Sequence, residues 1–164
     1  MAFLSYIDVI KDEALSCTTT VPEYTLGVRT HQGGNEYVYV YNAAANSKIT
    51  TGQYCVLDGN GVSFTSGFSV TVTNASLNGY LAGVAQQTFN TATYGWIMTK
   101  GASLIALDSG AVSMNVGDQL ALGTDGGFIA AGATFSTAPR FGVMLNSGVT
   151  TVGTGKARIF GSVL

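Results

Sequence analysis

The side chains in this sequence that could support chemistry are few, and each stands among neighbours that give it a simpler role. His31 is the only histidine and is followed by Gln32-Gly33-Gly34, a turn-forming stretch. Imidazole metal sites recruit further His, Cys or carboxylate ligands, and none clusters with it. No serine stands in a G-x-S-x-G strand-to-helix context, so a Ser-His-Asp triad has no support. Asp58, Asp108, Asp118 and Asp125 all border glycine turns, where an Asp side chain bonding nearby backbone is a sufficient explanation. Asp58-Gly59-Asn60-Gly61 is the most calcium-like of these stretches, but it has a single carboxylate and lacks the bidentate Glu that closes an EF-hand loop. Nothing singles out a carboxylate pair for glycoside hydrolysis, and no glycine-rich phosphate loop follows a strand and opens a helix. The expectation is a protein that is not an enzyme, with no catalytic residue, no metal site and no cofactor.

Charge narrows the classes further. Only 10% of the 164 residues are charged, against about 25% in an average domain, while glycine reaches 22. The polar surface must therefore be built mostly from hydroxyls and amides, which suits a protein that buries much of its outside against copies of itself or a larger assembly. The net charge of −2 and the scatter of the few Lys and Arg residues argue against nucleic-acid binding. No apolar run approaches the ~20 residues that cross a bilayer, and residues 1–8 have no basic n-region, so no membrane partner and cytoplasmic synthesis are expected. Cys17 and Cys55 lack CxxC spacing and read as two small buried thiols, with a disulfide between them as the alternative.

The elements that position these residues are strands. Residues 1–23 are the least strand-like part: Phe3, Leu4, Tyr6, Ile7, Val9 and Ile10 are interspersed with Asp8, Lys11, Asp12 and Glu13, and Val21-Pro22 favours extended chain. They are expected to form an N-terminal arm, with a first helix packed on the barrel as the alternative. From Tyr24 onward, short apolar runs alternate with Gly, Asn and Asp turns at roughly 8–12-residue spacing, the pattern of a sandwich or barrel. Tyr24–Thr30 and Glu36–Tyr41 read as a hairpin about residues 31–35. In the second of these strands Tyr37, Tyr39 and Tyr41 share one face and Val38 and Val40 the other. The tyrosine face is expected either to cover the barrel or to meet a neighbouring subunit.

Further strands are expected at Gln53–Leu57, Phe68–Val72, Leu81–Ala85, Tyr94–Thr99, Ala102–Leu107, Gln119–Leu122, Phe128–Ala131, Arg140–Leu145 and Lys156–Leu164, with Lys100-Gly101 as a turn. Trp96, the only tryptophan, follows Gly95 and precedes Ile97-Met98, so it is expected in the core, with Gly95 admitting a close backbone. The fold class is all-β: a single barrel- or sandwich-like domain over 24–164 with an extended N-terminal arm over 1–23.

The order of motifs resembles the head decoration, or cement, proteins of tailed bacteriophages. Leu26-Gly27 is followed by the strand Gly34-Asn35-Glu36-Tyr37-Val38-Tyr39-Val40, then by Ile49-Thr50-Thr51-Gly52-Gln53 and Gly83-Val84-Ala85. Tyr94-Gly95-Trp96 with Gly101 is the most specific mark, and Leu120 with Thr124-Asp125-Gly126-Gly127 completes the order. The resemblance implies a virion protein on the outer surface of the capsid, acting as a homotrimer that braces neighbouring major capsid protein subunits. It carries over no catalytic residue and no cofactor. Phe3, Leu4, Tyr6, Ile7 and Val9 of the arm are then the expected capsid contacts, by strand addition, and Tyr37, Tyr39 and Tyr41 the expected oligomer or surface contacts. Two other readings stand beside it. One is a glycan- or receptor-binding β-sandwich, motivated by those tyrosines and by hydroxyl-rich loops; the other is a subunit of a tail or fibre.

Overall fold

The computed structural model describes residues 15, 18–43, 47–57, 68–72, 81–108, 114–123, 126–130, 140–146 and 153–160. Phe3, Leu4, Tyr6, Ile7 and Val9, expected as capsid contacts, and Cys17, Asp58 and Asp125 lie outside the described residues. The described chain is all-β, with strands β1 (Arg29–Gln32), β2 (Asn35–Asn42), β3 (Tyr54–Leu57), β4 (Ser69–Thr71), β5 (Leu81–Ala85), β6 (Thr93–Ala106), β7 (Gln119–Leu122), β8 (Phe128–Ala130), β9 (Gly142–Met144) and β10 (Thr154–Ile159).

The first hairpin forms as the turn chemistry demands. Gln32 pairs with Asn35 across Gly33 and Gly34, which carry φ of +57° and +80°, the left-handed values a two-residue hairpin turn requires. The turn is shorter than the expected 31–35, and His31 belongs to β1 instead. Tyr24 to Val28, expected in the strand, is irregular chain. After the hairpin, β2 pairs with β6 along almost its whole length, and the order β2-β4-β3-β5-β6 closes back through β2–β6 into a five-stranded barrel. One pairing is parallel, Tyr41 and Asn42 against Ser69 and Val70.

Strand alternation sorts the barrel residues onto two faces. Val38 pairs with Ile97, and both point inward to meet Val40, Cys55, Val70 and Phe89. Tyr37 pairs with Met98 and Tyr39 with Trp96, and these four point outward into a second, larger apolar cluster.

That second cluster exists because β6 does not stop where a turn was expected. Instead of reversing at Lys100-Gly101, the strand runs on for 14 residues, pairing its first half with β2 and its second half with β10. Gly101 absorbs the change of direction at φ +131°, a value that side-chain-bearing residues rarely adopt, next to a register shift opposite Glu36 and Tyr37. Asn35 braces the kink: its Oδ1 accepts from the Ala102 N–H at 3.0 Å.

Beyond the kink a second sheet runs β6-β10-β9-β7-β8 and curls back on itself. Phe128 of β8 bridges to Leu107, and the Asp108 N–H donates to the Phe128 carbonyl at 3.0 Å. Ile105, Leu120, Phe128, Met144, Ala157 and Ile159 fill its interior. Each fully buried Ile, Leu, Met or Phe among them contributes about 1.5–3 kcal/mol. The two lobes thus share β6, and Tyr54 ties them a second time: its N–H donates to Gly126, its hydroxyl to Gly123, and its ring meets Phe128 edge-on.

Candidate functional site

The aromatic cluster around Trp96 is built from the strand pairing upward. Because Tyr39 stands opposite Trp96, their rings meet at 5.1 Å between centroids, and Tyr24 reaches both at 5.3 Å. Tyr24 is delivered by irregular chain that straps across the outside of the barrel. Thr19 bridges to Tyr94, the Gly27 N–H donates to the Tyr39 carbonyl at 2.8 Å, and the Glu23 N–H donates to the Tyr39 hydroxyl at 3.1 Å. Leu15, also in the expected arm, is buried in the same cluster. Within the described part of the expected arm, Leu15 and Thr19 thus pack on the barrel wall, while residues 20–23 are exposed.

Of the two readings of the tyrosine face, this geometry favours packing within the chain for Tyr37 and Tyr39 over a subunit contact. Tyr37 and Tyr39 are 8% and 2% exposed, because the strap and the second lobe cover them, so they are core residues of the single chain. Only Tyr41 is half-buried, tilted against Tyr94 at 4.6 Å. A sugar-binding platform of three exposed tyrosines is therefore not present. Trp96 is 1% exposed. The space beside Gly95 is taken by side chains and not by backbone, since a Cβ there would lie 2.6 Å from Gln87 Nε2 and 2.8 Å from the Phe89 ring.

The titratable groups have structural settings. His31 stands opposite Glu36, with Nε2 3.6 Å from Oε1, and Lys100 Nζ reaches the same oxygen at 3.5 Å. The Asp118 carboxylate accepts from the Asn115 N–H at 2.7 Å and closes a turn. Asp108 is buried beside Gly123 and Gly127. Cys55 is a free, buried thiol inside the barrel, and that desolvation pushes its pKa up to about 12. Among the described residues no three His, Cys, Asp or Glu side chains gather as a metal site. No helix among them is long and apolar enough to cross a membrane.

What the fold does expose is the outer face of the second sheet. β10 alternates strictly, burying Gly155, Ala157 and Ile159 and exposing Thr154, Lys156 and Arg158. Register extends this face sideways. Leu104 pairs with Lys156, whose carbonyl accepts from the Leu145 N–H at 2.8 Å; Ala102 pairs with Arg158, Arg158 with Val143, and Val143 with Gln119. Leu104, Leu145 and Phe160 are 52%, 42% and 53% exposed, three of the five large apolar side chains exposed among the described residues. Strands β7–β10 and the second half of β6 contain no Asp or Glu. The face is apolar with cations set into it, in a chain of net negative charge. Its signal was in the sequence, as the alternation Lys156, Arg158, Phe160 against Ala157, Ile159. The tyrosine stripe of β2 carries the same alternation with larger rings, and that is where the sequence reading placed the surface.

The architecture of the described residues defines an all-β protein of two lobes that share one strand. No family model matches the chain, and no curated protein matches it. Among solved structures it is similar to the crystal structure of the head fiber gp8.5 N base of bacteriophage phi29, at 18% sequence identity and a TM-score of 0.52. The match covers 78% of this chain and 98% of that one. At this identity the likeness establishes a shared fold.

Proposed function

We propose that this protein is a non-catalytic structural component of a tailed-phage virion. It is held on the outer surface of the head, where it acts as a homotrimer that stabilises contacts between major capsid protein subunits. The observation that carries the reading is the fold shared with the N base of a phage head fiber over most of both chains. The motif order from Leu26-Gly27 to Gly126-Gly127, which resembles that of head decoration proteins, supports the same reading. The physics suits the role. A small rigid body of low charge gains little from any single contact, but repetition over a shell lattice converts weak contacts into high occupancy.

A second reading is the base of an appendage attached to the head, favoured by what the similar structure is. Here the lobes anchor a projecting element and brace nothing. Purified protein added to heads that lack it separates the two readings. Heads that bind it and then withstand heating that disrupts undecorated heads support the brace. Heads that bind it at discrete positions by cryo-electron microscopy, with no gain in heat resistance, support the appendage base. Heads that do not bind it refute both.

A further inference from the structure

We propose that residues 1–14 of one copy cover the outer face of the second sheet of another copy, so that the protein self-associates by arm exchange. The face has two chemical demands. Leu104, Leu145 and Phe160 present apolar area that water leaves uncovered at a cost, and Lys156 and Arg158 between them call for carboxylates. Residues 1–14 meet both demands in one stretch. They carry Phe3, Leu4, Tyr6, Ile7, Val9 and Ile10, together with Asp8, Asp12 and Glu13, three of the nine acidic residues in the whole chain, against one cation, Lys11. No described strand of the face supplies an acid of its own.

Reach permits the exchange. Fourteen extended residues span up to about 46–50 Å, enough to leave one protomer and cross the sheet of the next. Leu104, Leu145 and Phe160 are exposed and open to a partner; return of the arm to its own sheet is the competing outcome, and the oligomeric state separates the two. Apolar contact supplies the attraction, and opposite charge selects the register and suppresses wrong pairings. The apolar arm residues that the decoration-protein resemblance directs at the capsid are thereby assigned to a sister copy. The proposal does not depend on the head assignment.

The test uses the full chain and its charge. Three variants are compared with the wild type by light scattering coupled to size exclusion: K156E/R158E on the face, D8K/D12K/E13K on the arm, and the two sets combined. All substituted face positions are exposed, and circular dichroism melting confirms that each variant folds. The wild type is expected to associate, either single set to weaken association at least about fivefold, and the combined set to restore it. A synthetic peptide of residues 1–14 added to the wild type should dissociate it. A monomeric wild type, association that survives deletion of residues 1–14, or a combined variant no better than its parents overturns the proposal. So does a K156E/R158E variant that still self-associates but no longer binds phage heads, because the face would then belong to an acidic shell surface.

Discussion

Substituting Gly101 by alanine tests whether one strand really holds the two lobes together. The residue sits at φ +131°, and a Cβ built on it would lie 2.0 Å from Asn35 Oδ1, 2.6 Å from its Cγ and 2.9 Å from its Cβ. Two costs follow. Holding a side-chain-bearing residue in that backbone region costs about 1–3 kcal/mol. Displacing Asn35 breaks the hydrogen bond from the Ala102 N–H, worth about 0.5–1.5 kcal/mol net and at the low end here because the site is exposed. Together they predict that Gly101→Ala lowers stability by about 1.5–3.5 kcal/mol, a large share of the 5–15 kcal/mol of an ordinary domain. Urea denaturation followed by tryptophan fluorescence and by far-ultraviolet circular dichroism measures it. Trp96 reports on the wall between the lobes and circular dichroism on both sheets, so coincident transitions mean that the lobes still unfold together. Asn35→Ala removes the Oδ1 and Cγ overlaps but leaves the one with Cβ. The double variant should therefore lose less than the sum of the singles, by about 1 kcal/mol. A Gly101→Ala protein within about 0.5 kcal/mol of wild type, or full additivity with Asn35→Ala, would refute the account of the kink.

Three further outcomes are expected. Trp96→Ala, which empties a fully buried site contacted by Tyr24 and Tyr39, should cost about 3–5 kcal/mol by the same denaturation assay. Tyr39→Phe keeps the ring and removes the acceptor for the Glu23 N–H, so it should cost about 1 kcal/mol and speed hydrogen exchange at Glu23 while leaving β2 amides protected. The thiol of Cys55 should resist a thiol-specific disulfide reagent in the folded protein and react on unfolding. Its folded pKa of about 12 lies above the ordinary 9.0, so burial favours the protonated form. That contribution is fully present below pH 9 and is lost as pH rises toward 12, at a rate approaching about 1.4 kcal/mol per pH unit. Cys55→Ala should flatten that part of the stability-versus-pH curve relative to wild type, and parallel curves would count against a buried thiol.

How much of this was legible depended on whether a local rule decided the outcome. Gly33-Gly34 announces a hairpin turn whatever surrounds it, and the alternation in Glu36–Tyr41 and Lys156–Ile159 announces two-faced strands; all of these stand in the structure. Which face is the inside is not a local property. Val38 and Tyr39 both carry apolar area, and the barrel takes the smaller residues of β2 into its closed interior because five strands leave little room there. The rings are left on the outside of the barrel, where they become buried only because the chain from Thr19 to Val28 crosses over them and the second lobe packs alongside. No spacing in the sequence encodes that crossing. Gly101 misled for a related reason. Glycine after lysine, between two apolar runs, has the composition of a turn, and the same freedom in φ lets a strand bend and continue. The choice was made by partners far away in sequence: β2 occupies one half of β6 and β10 the other.

Sharing β6 also bears on how an outer surface can be left apolar without general stickiness. A single barrel would present its Tyr37–Tyr39–Trp96 wall to solvent, as exposed an aromatic patch as this sequence could make. Continuing β6 past Gly101 brings a second sheet and the strap against that wall and buries it. The remaining apolar exposure moves to the far side, around Leu104, Leu145 and Phe160, with Lys156 and Arg158 set into it. Copies of such a face repel one another by like charge, which disfavours face-to-face pairing and leaves it open to a partner that brings acid. The charge on the face therefore selects what covers it. Reversing Lys156 and Arg158 to acid should weaken the correct partner while copies of the face go on repelling one another. Lys156→Ala with Arg158→Ala, which removes the charge and keeps the apolar area, should accordingly aggregate at lower protein concentration than wild type by light scattering. Equal solubility would mean that these cations do not guard the face.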